Sequence, residues 1–250
     1  MNLDVCRKQF ISYVKQFDLK DKAILNKFHH TFRVMEYAME IATSLKLNEE
    51  EIQIAGIIGL LHDIGRFEQA KKYHTFIDKN SINHGEYGVK ILFEDGLIRK
   101  FINTDKYDKI IRIAILNHNK AEIEKGLTKE EILHAKIIRD ADKTDIFYTL
   151  TIGDKKVIWE KEDLSNDIIT DEIYKEFLED KVIDYKKRQT SADILVSHFA
   201  HVYDFNFERS LQIIRENNYL EKLYNRFIFK NKETKDRFEK IYELAKEQLK

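Results

Sequence analysis

The 250-residue chain contains no proline and only eight glycines. Both residues disrupt helix interiors, whereas folds rich in β-sheet usually need them for turns. Lys, Glu, Ile and Leu are abundant, and hydrophobic residues make up 43% of the chain, enough for a sizeable core. These features predict an all-α fold.

Apolar residues recur with helical spacing along most of the chain. In the first part the spacing predicts helices over residues 21–46, 49–63, 81–94, 105–118 and 128–150. Asn48 and Glu51 have the capping-box pattern before the second of these helices, and Gly65 is its predicted stop. Residues 66–80 are polar and irregular, which predicts a loop or lid.

The second part of the chain carries one irregular region and then returns to helical spacing. Residues 151–170 contain TIGDKKVIWE, which predicts a short strand or an inserted loop. From residue 171 onward the pattern predicts helices with short breaks near residues 190, 206 and 217. No Gly/Ser/Pro linker divides the chain, so we expect the later helices to pack on the first part.

Charge and cysteine content limit the classes of function. The 43 basic and 44 acidic residues nearly balance, so no global field attracts nucleic acid or an anionic membrane. The N-terminal segment lacks the apolar core of a signal peptide, and no stretch approaches the ~18 apolar residues of a membrane span. The single cysteine, Cys6, excludes an internal disulfide framework. We therefore expect a soluble, cytoplasmic protein.

Several histidines and aspartates lie at helix ends or on apolar helical segments, where an unpaired charge would be costly. The residues of this kind are His30, His62, Asp63, His84, His118 and Asp142. A divalent cation removes that cost, because it pairs with carboxylate and accepts neutral imidazole. A histidine and carboxylate set without thiolates suits Mn, Fe, Co, Ni or Zn. Asp63 offers two oxygens and can bridge two ions.

The order of these residues resembles the HD superfamily of metal-dependent phosphohydrolases. The matching pieces are H-x-x-R-V at residues 30–34, L-L-H-D-I-G at 60–65 and D-A-D-K at 140–143. The resemblance covers about residues 20–150, and it implies that Asp142 rather than Asp140 is a ligand. It also implies an HD-domain helical bundle, which we assign to residues 1–150. Because no linker follows it, we expect the additional C-terminal helices over 151–250 to pack on the same domain.

His84 and His118 bear on the number of ions. Similar enzymes with two such extra histidines hold two metals, as the HD-GYP phosphodiesterases of cyclic dinucleotides do. The G-Y-P signature is absent here, since the chain reads NKAEIEKG after His118. In related dNTP triphosphohydrolases a histidine placed like His84 serves catalysis instead. The resemblance therefore implies one or two ions, and we favour both histidines as ligands.

Other candidates have weaker support. Arg66 directly follows the H-D-I-G piece, where relatives often carry Lys, and it is the preferred contact for a substrate phosphate; a surface salt bridge is the alternative. Lys143 is a weaker candidate, and Arg33 is expected only to orient its helix. A structural or solvent-facing role is expected for the remaining histidines: His29, His74, His134, His198 and His201. For His198 and His201, with Asp204, we prefer a helix face to a second metal site.

The resemblance implies a hydrolase in which metal-activated water cleaves a phosphate ester, most plausibly of a nucleotide. Asp63 would bridge the metals or hold the water, and Arg66 would contact the phosphate. Two alternatives are a non-catalytic regulatory protein on the same scaffold and a di-iron oxygenase. The expected partner is a small-molecule phosphoester, with no nucleic acid or membrane and with a homodimer as the default assembly.

Overall fold

A computed structural model describes residues 2–250 of the chain. All regular elements in this range are helices, which confirms the all-α prediction. Within the same range, no helix combines the length and the apolar character needed to cross a membrane. The chain divides into two compact units, residues 1–142 and 143–250. The packing of the C-terminal helices on the first unit stays a prediction.

Seven helices begin in the first unit, and the last of them continues into the second. They are α1 (Leu3–Val14), α2 (Lys22–Ser44), α3 (Glu49–Leu61), α4 (Ile64–Tyr73), α5 (His84–Val89), α6 (Asp108–Asn117) and α7 (Lys129–Ile152). Two 3-10 turns, Asp78–Asn80 and Leu97–Lys100, and one π-helical turn, Lys90–Glu94, complete the unit.

The predicted capping box is present at the start of α3. The Asn48 side chain accepts a hydrogen bond from the Glu51 backbone, and the Glu51 carboxylate accepts one from the Asn48 backbone. From Ile54 onward α3 is buried on all sides, as its apolar sequence predicts. It packs on α2 at short range, because a Cβ on Gly59 would meet the Met35 Cα at 2.7 Å. This close approach brings the C-terminal part of α3 against the middle of α2.

The prediction of a loop over residues 66–80 is wrong for its first half. Residues 66–73 belong to α4, and only the segment from His74 to Asn83 is irregular apart from its 3-10 turn. The helix is anchored by few apolar side chains, chiefly Ile64 and Phe67, both fully buried. Its other residues are mostly polar, so its sequence lacks a strong helical pattern.

Gly65 is not the predicted helix stop. It lies in the first turn of α4, and α3 has already ended at Leu61. The reason for a glycine here is close packing, since a Cβ would collide with the carbonyl oxygen of His84 and lie 2.8 Å from the Gly88 nitrogen. The absence of a side chain thus lets α4 touch the backbone of α5.

The helix predicted over 81–94 begins later, at His84. Asn83 is its N-cap, and the Asn83 side chain accepts a hydrogen bond from the Glu86 backbone. After six residues the α-helix continues as the π-helical turn Lys90–Glu94. The delayed start places His84 in the first turn.

The second unit continues α7 and adds further helices. They are α8 (Lys155–Trp159), α9 (Asp171–Phe177), α10 (Ser191–Phe199), α11 (Glu208–Glu216), α12 (Tyr219–Tyr224) and α13 (Lys232–Glu247). The strand considered for 151–170 is not formed, because α8 occupies part of that region. Trp159 at its end is fully buried, with its ring centroid 4.8 Å from that of Phe227. Packing of this one large side chain accounts for a short helix that has no sequence periodicity of its own.

Candidate metal centre

His30 and His62–Asp63 come together because α2 packs against α3. His30 lies on the buried face of α2, whereas the neighbouring His29 is exposed. His62 and Asp63 occupy the break between α3 and α4, and both are buried. Within one regular helix their side chains would diverge by about 100°. The helix break allows both to face the same space.

The first cluster consists of His30, His62, Asp63 and Asp142. The Nε2 atoms of His30 and His62 each lie 3.5 Å from Asp63 Oδ2. Their distances to Asp142 Oδ1, on α7, are 3.2 and 3.7 Å respectively. Two imidazole nitrogens and two carboxylate oxygens therefore surround one point, as the sequence predicts for a ligand set.

The second cluster uses the other oxygen of Asp63. His84 Nε2 lies 3.4 Å and His118 Nε2 3.7 Å from Asp63 Oδ1, and the two Nε2 atoms are 2.9 Å apart. Within each of two triads, His30–His62–Asp63 and Asp63–His84–His118, the potential ligand atoms lie within 4.8 Å of one another. Asp63 belongs to both, with one oxygen directed to each.

The ring orientation of three histidines is set by hydrogen bonds at Nδ1. For His62 and His118 the hydrogen-bond partner is a backbone carbonyl. The Gly59 oxygen lies 2.8 Å from His62 Nδ1, and the Ile115 oxygen lies 2.6 Å from His118 Nδ1. His84 Nδ1 instead lies 2.6 Å from Asp78 Oδ2. An acceptor at Nδ1 places the proton there, which leaves the Nε2 lone pair directed into the centre.

The two aspartates carry negative charge at the centre, where Asp63 is buried and Asp142 is half-buried. Burial alone would raise the pKa of the Asp63 carboxyl, but Lys27 and the surrounding histidines hold that pKa well below its usual range. Lys27 Nζ lies 2.6 Å from Asp63 Oδ2. Burial would also raise the pKa of the Asp142 carboxyl, but the adjacent imidazoles of His30 and His62 bring that pKa well below its usual range. Burial lowers the pKa of His84 to about 4, although Asp78 and Asp63 oppose the shift.

The donor set fits a divalent cation. His62 Nε2 is buried and makes no hydrogen bond, which is costly for a polar atom unless something else pairs with it. The converging donors are imidazoles and carboxylates, which bind such ions as the neutral ring and the ionised acid. His30, His62, Asp63 and Asp142 would hold one ion, and Asp63, His84 and His118 a second.

Arg66 lies beside the centre, with its Nε 3.6 Å from Asp63 Oδ1. Its Nη1 donates to Gln69 Oε1 at 2.9 Å, to Asp78 Oδ1 at 2.7 Å and to the Phe76 carbonyl. Its Nε is buried and donates no hydrogen bond. The Nη1 group of Arg66 is thus hydrogen-bonded within the protein, whereas the Nε donor near Asp63 makes no hydrogen bond.

Two further neighbours of the centre, Lys27 and Asp78, are not singled out by any motif of the sequence. Lys27 precedes His30 by three residues, so helical spacing alone places it on the same face of α2. No comparable signal exists for Asp78. Its contact with His84 depends on how the segment between α4 and α5 folds back.

The other histidines and basic candidates lie elsewhere. His134 is buried in α7, and neither of its ring nitrogens makes a hydrogen bond. His198 accepts a hydrogen bond from Trp159 Nε1 at 3.1 Å. Lys143 Nζ donates to the Asp204 carbonyl at 2.9 Å. In residues 2–250 only the two triads that share Asp63 group three such ligand residues together.

Fold and side-chain geometry together define a class, an all-helical protein with a histidine–carboxylate cluster that could hold a metal. The family model described as "HD domain" matches residues 28–146, a range that contains the three motif pieces of the sequence. HD domains bind divalent metals and generally belong to metal-dependent hydrolases.

One curated relative is an uncharacterized protein of Methanocaldococcus jannaschii. It is 31% identical over 117 residues, which cover 46% of this chain and 55% of the relative. The matched region thus spans about half of the relative's length. No solved structure was found to match the chain.

Proposed function

We propose that this protein is a metal-dependent phosphohydrolase that cleaves a small phosphate ester, such as that of a nucleotide, with water as the nucleophile. The observation that carries the proposal is the position of Asp63, whose Oδ2 faces His30 and His62 while its Oδ1 faces His84 and His118. A carboxylate shared in this way is suited to bridging two ions.

Divalent metals, when bound, would lower the pKa of water and stabilise negative charge on phosphoryl oxygens. The chain's own part is to hold the donors in a fixed arrangement before substrate arrives. The Nδ1 hydrogen bonds of His62, His84 and His118 keep those rings oriented. The Asp63 and Asp142 carboxylates provide the negative charge that retains the cations. A donor set of histidines and carboxylates is suited to binding Mn, Fe, Co, Ni or Zn.

Arg66 is the proposed contact for the substrate phosphate. Its Nε is a buried donor without a hydrogen bond, 3.6 Å from Asp63 Oδ1. A phosphate oxygen near the ions would satisfy this donor, and the fixed plane of a guanidinium suits such an acceptor. Because basic and acidic residues nearly balance, we propose a small molecule rather than nucleic acid as the substrate.

The test joins elemental analysis of the purified full chain with a panel of phosphoesters. We expect bound divalent metal and hydrolysis of at least one nucleotide ester. His62→Ala should abolish both, while His29→Ala, which changes an exposed neighbour of His30, should change neither. If His62→Ala hydrolyses the substrate at the parental rate, the proposal is wrong. Retained metal without any turnover would favour a regulatory role, and a di-iron content with consumption of O2 would favour an oxygenase.

A further inference from the structure

His84 is oriented differently from the other anchored histidines of the centre. His62 and His118 each use a backbone carbonyl three residues earlier, at Gly59 and Ile115. Such an acceptor is fixed by the local chain. His84 uses a side chain, the Asp78 carboxylate, six residues earlier in the segment between α4 and α5.

Asp78 is itself held in place by α4. Its Oδ1 accepts hydrogen bonds from Arg66 Nη1 at 2.7 Å and from Gln69 Nε2 at 3.0 Å. Its Oδ2 faces His84 Nδ1 at 2.6 Å, with the His84 backbone nitrogen and Asn119 Nδ2 at the longer distance of 3.4 Å. The carboxylate thus uses one oxygen for α4 and the other for His84.

The residues that contact Asp78 are more shielded than Asp78 itself. Gln69 is fully buried and His84 nearly so, while the side chains of Arg66 and Asp78 are 16% and 30% exposed. Hydrogen bonds to a carboxylate in such surroundings are stronger than those at a surface. The arrangement therefore fixes Asp78 more firmly than its place in an irregular segment suggests.

We propose that Asp78 is a positioning residue for the second metal ion, through its hydrogen bond to His84; this inference rests on the proposed two-metal function. The carboxylate keeps the proton of His84 on Nδ1, so that the Nε2 lone pair faces Asp63 Oδ1 and His118. Without a carboxylate at Nδ1 the ring can take the other tautomer, with a proton on the nitrogen that must bind the ion. Arg66 and Gln69 support His84 indirectly, because they hold Asp78.

The first test is Asp78→Asn in the full chain. The amide keeps the shape of the side chain but has only one acceptor oxygen, so it cannot serve α4 and His84 together. We expect the second equivalent of Zn²⁺ to bind about 10–100-fold more weakly, and the first to bind as before. Asp95→Asn, which removes an exposed carboxylate paired with Lys90, is the matched control and should bind both ions normally. Isothermal titration calorimetry with Zn²⁺ measures the two affinities.

Asp78→Glu provides a rescue variant, since it restores a carboxylate and should recover part of the lost affinity. Parental affinity for both ions in Asp78→Asn would overturn the proposal. An equal loss of both ions would also overturn it, because that result indicates a general structural role.

A second measurement uses the unaltered chain and does not depend on how a variant folds. NMR of the Zn²⁺-loaded, ¹⁵N-histidine-labelled protein reports the tautomer of each ring. We expect His84 to carry its proton on Nδ1 and to bind through Nε2; the reverse arrangement would contradict the inference.

The outcome for Asp78 is separable from that for the proposed function. A parent chain that binds two ions but hydrolyses no phosphoester would remove the hydrolase proposal and leave the positioning role intact. Hydrolysis by the parent with unchanged metal affinities in Asp78→Asn would remove only the positioning role.

Discussion

The two halves of the metal centre share Asp63 but have different structural support. In the first half, His30 lies within the long helix α2 and Asp142 within the long helix α7. The ring of His62 is oriented by the backbone carbonyl three residues earlier. In the second half, His84 begins the six-residue helix α5 and depends on a side chain from an irregular segment. Similar donor types can therefore have unequal support, and we expect the second half to be the easier one to disrupt.

Asp63→Asn should have the largest effect, because it alters the one residue that both halves use. The amide is nearly isosteric, but it is neutral and has only one oxygen. We expect both ions to bind poorly and hydrolysis to fall by at least about 100-fold. Elemental analysis and initial rates measure the two effects. Two tightly bound ions in this variant would show that Asp63 is not shared.

His30→Ala and His84→Ala should separate the halves. Each histidine belongs to one triad only, so each variant should retain one ion and lose the other. The remaining affinity should be higher in His84→Ala, which leaves the better-supported half intact. Calorimetric titration with Zn²⁺ compares the two variants directly. Loss of the same ion from both would contradict the division into halves.

Gly65→Ala should weaken the second half through packing. The added methyl group would meet the backbone of α5 at His84 and Gly88, and overpacking of this kind costs up to about 3 kcal/mol of unfolding free energy. We expect lower stability in urea together with weaker binding of the second ion. The control is Gly88→Ala, where the nearest non-local atoms are at an ordinary 3.5 Å. Equal stability of the two variants would count against the close contact of α4 and α5.

His134 lies outside the centre and shows how burial changes the pKa of a histidine whose ring makes no hydrogen bond. Burial lowers its pKa from 6.5 to about 4, and Glu51 only partly opposes this. The unfolded chain therefore binds the extra proton first, and stability falls as the pH drops from about 6.5 towards 4. The contribution is at most about 1.4 kcal/mol per pH unit. His134→Leu should reduce this acid-side slope in urea unfolding; an unchanged slope would show that His134 does not titrate in that range.

The sequence alone predicts the features of the molecule that depend on spacing within one helix or on a short motif. An absence of proline and a helical apolar spacing predict the all-α fold, and Asn48 with Glu51 predicts the start of α3. The order of His30, His62–Asp63 and Asp142 predicts residues that the structure brings together. Each of these depends on spacing within one helix or on a short motif.

The contacts that sequence alone does not predict depend on tertiary packing. Helix α4 is anchored mainly by Ile64 and Phe67, so its polar sequence resembles a loop. Gly65 resembles a helix stop until the backbone of α5 is seen against it. Asp78 is one polar residue among several in an irregular segment, and only the folded chain shows its contact with His84.

Anomalous diffraction from crystals of the full chain grown with Zn²⁺ tests the central claim most directly. We expect two peaks, on opposite sides of the Asp63 carboxylate. One should be bound by His30, His62 and Asp142, and the other by His84 and His118. A single peak on the first side would leave the first cluster as a metal site but remove the shared role of Asp63. The absence of any peak at these residues would contradict the metal centre itself.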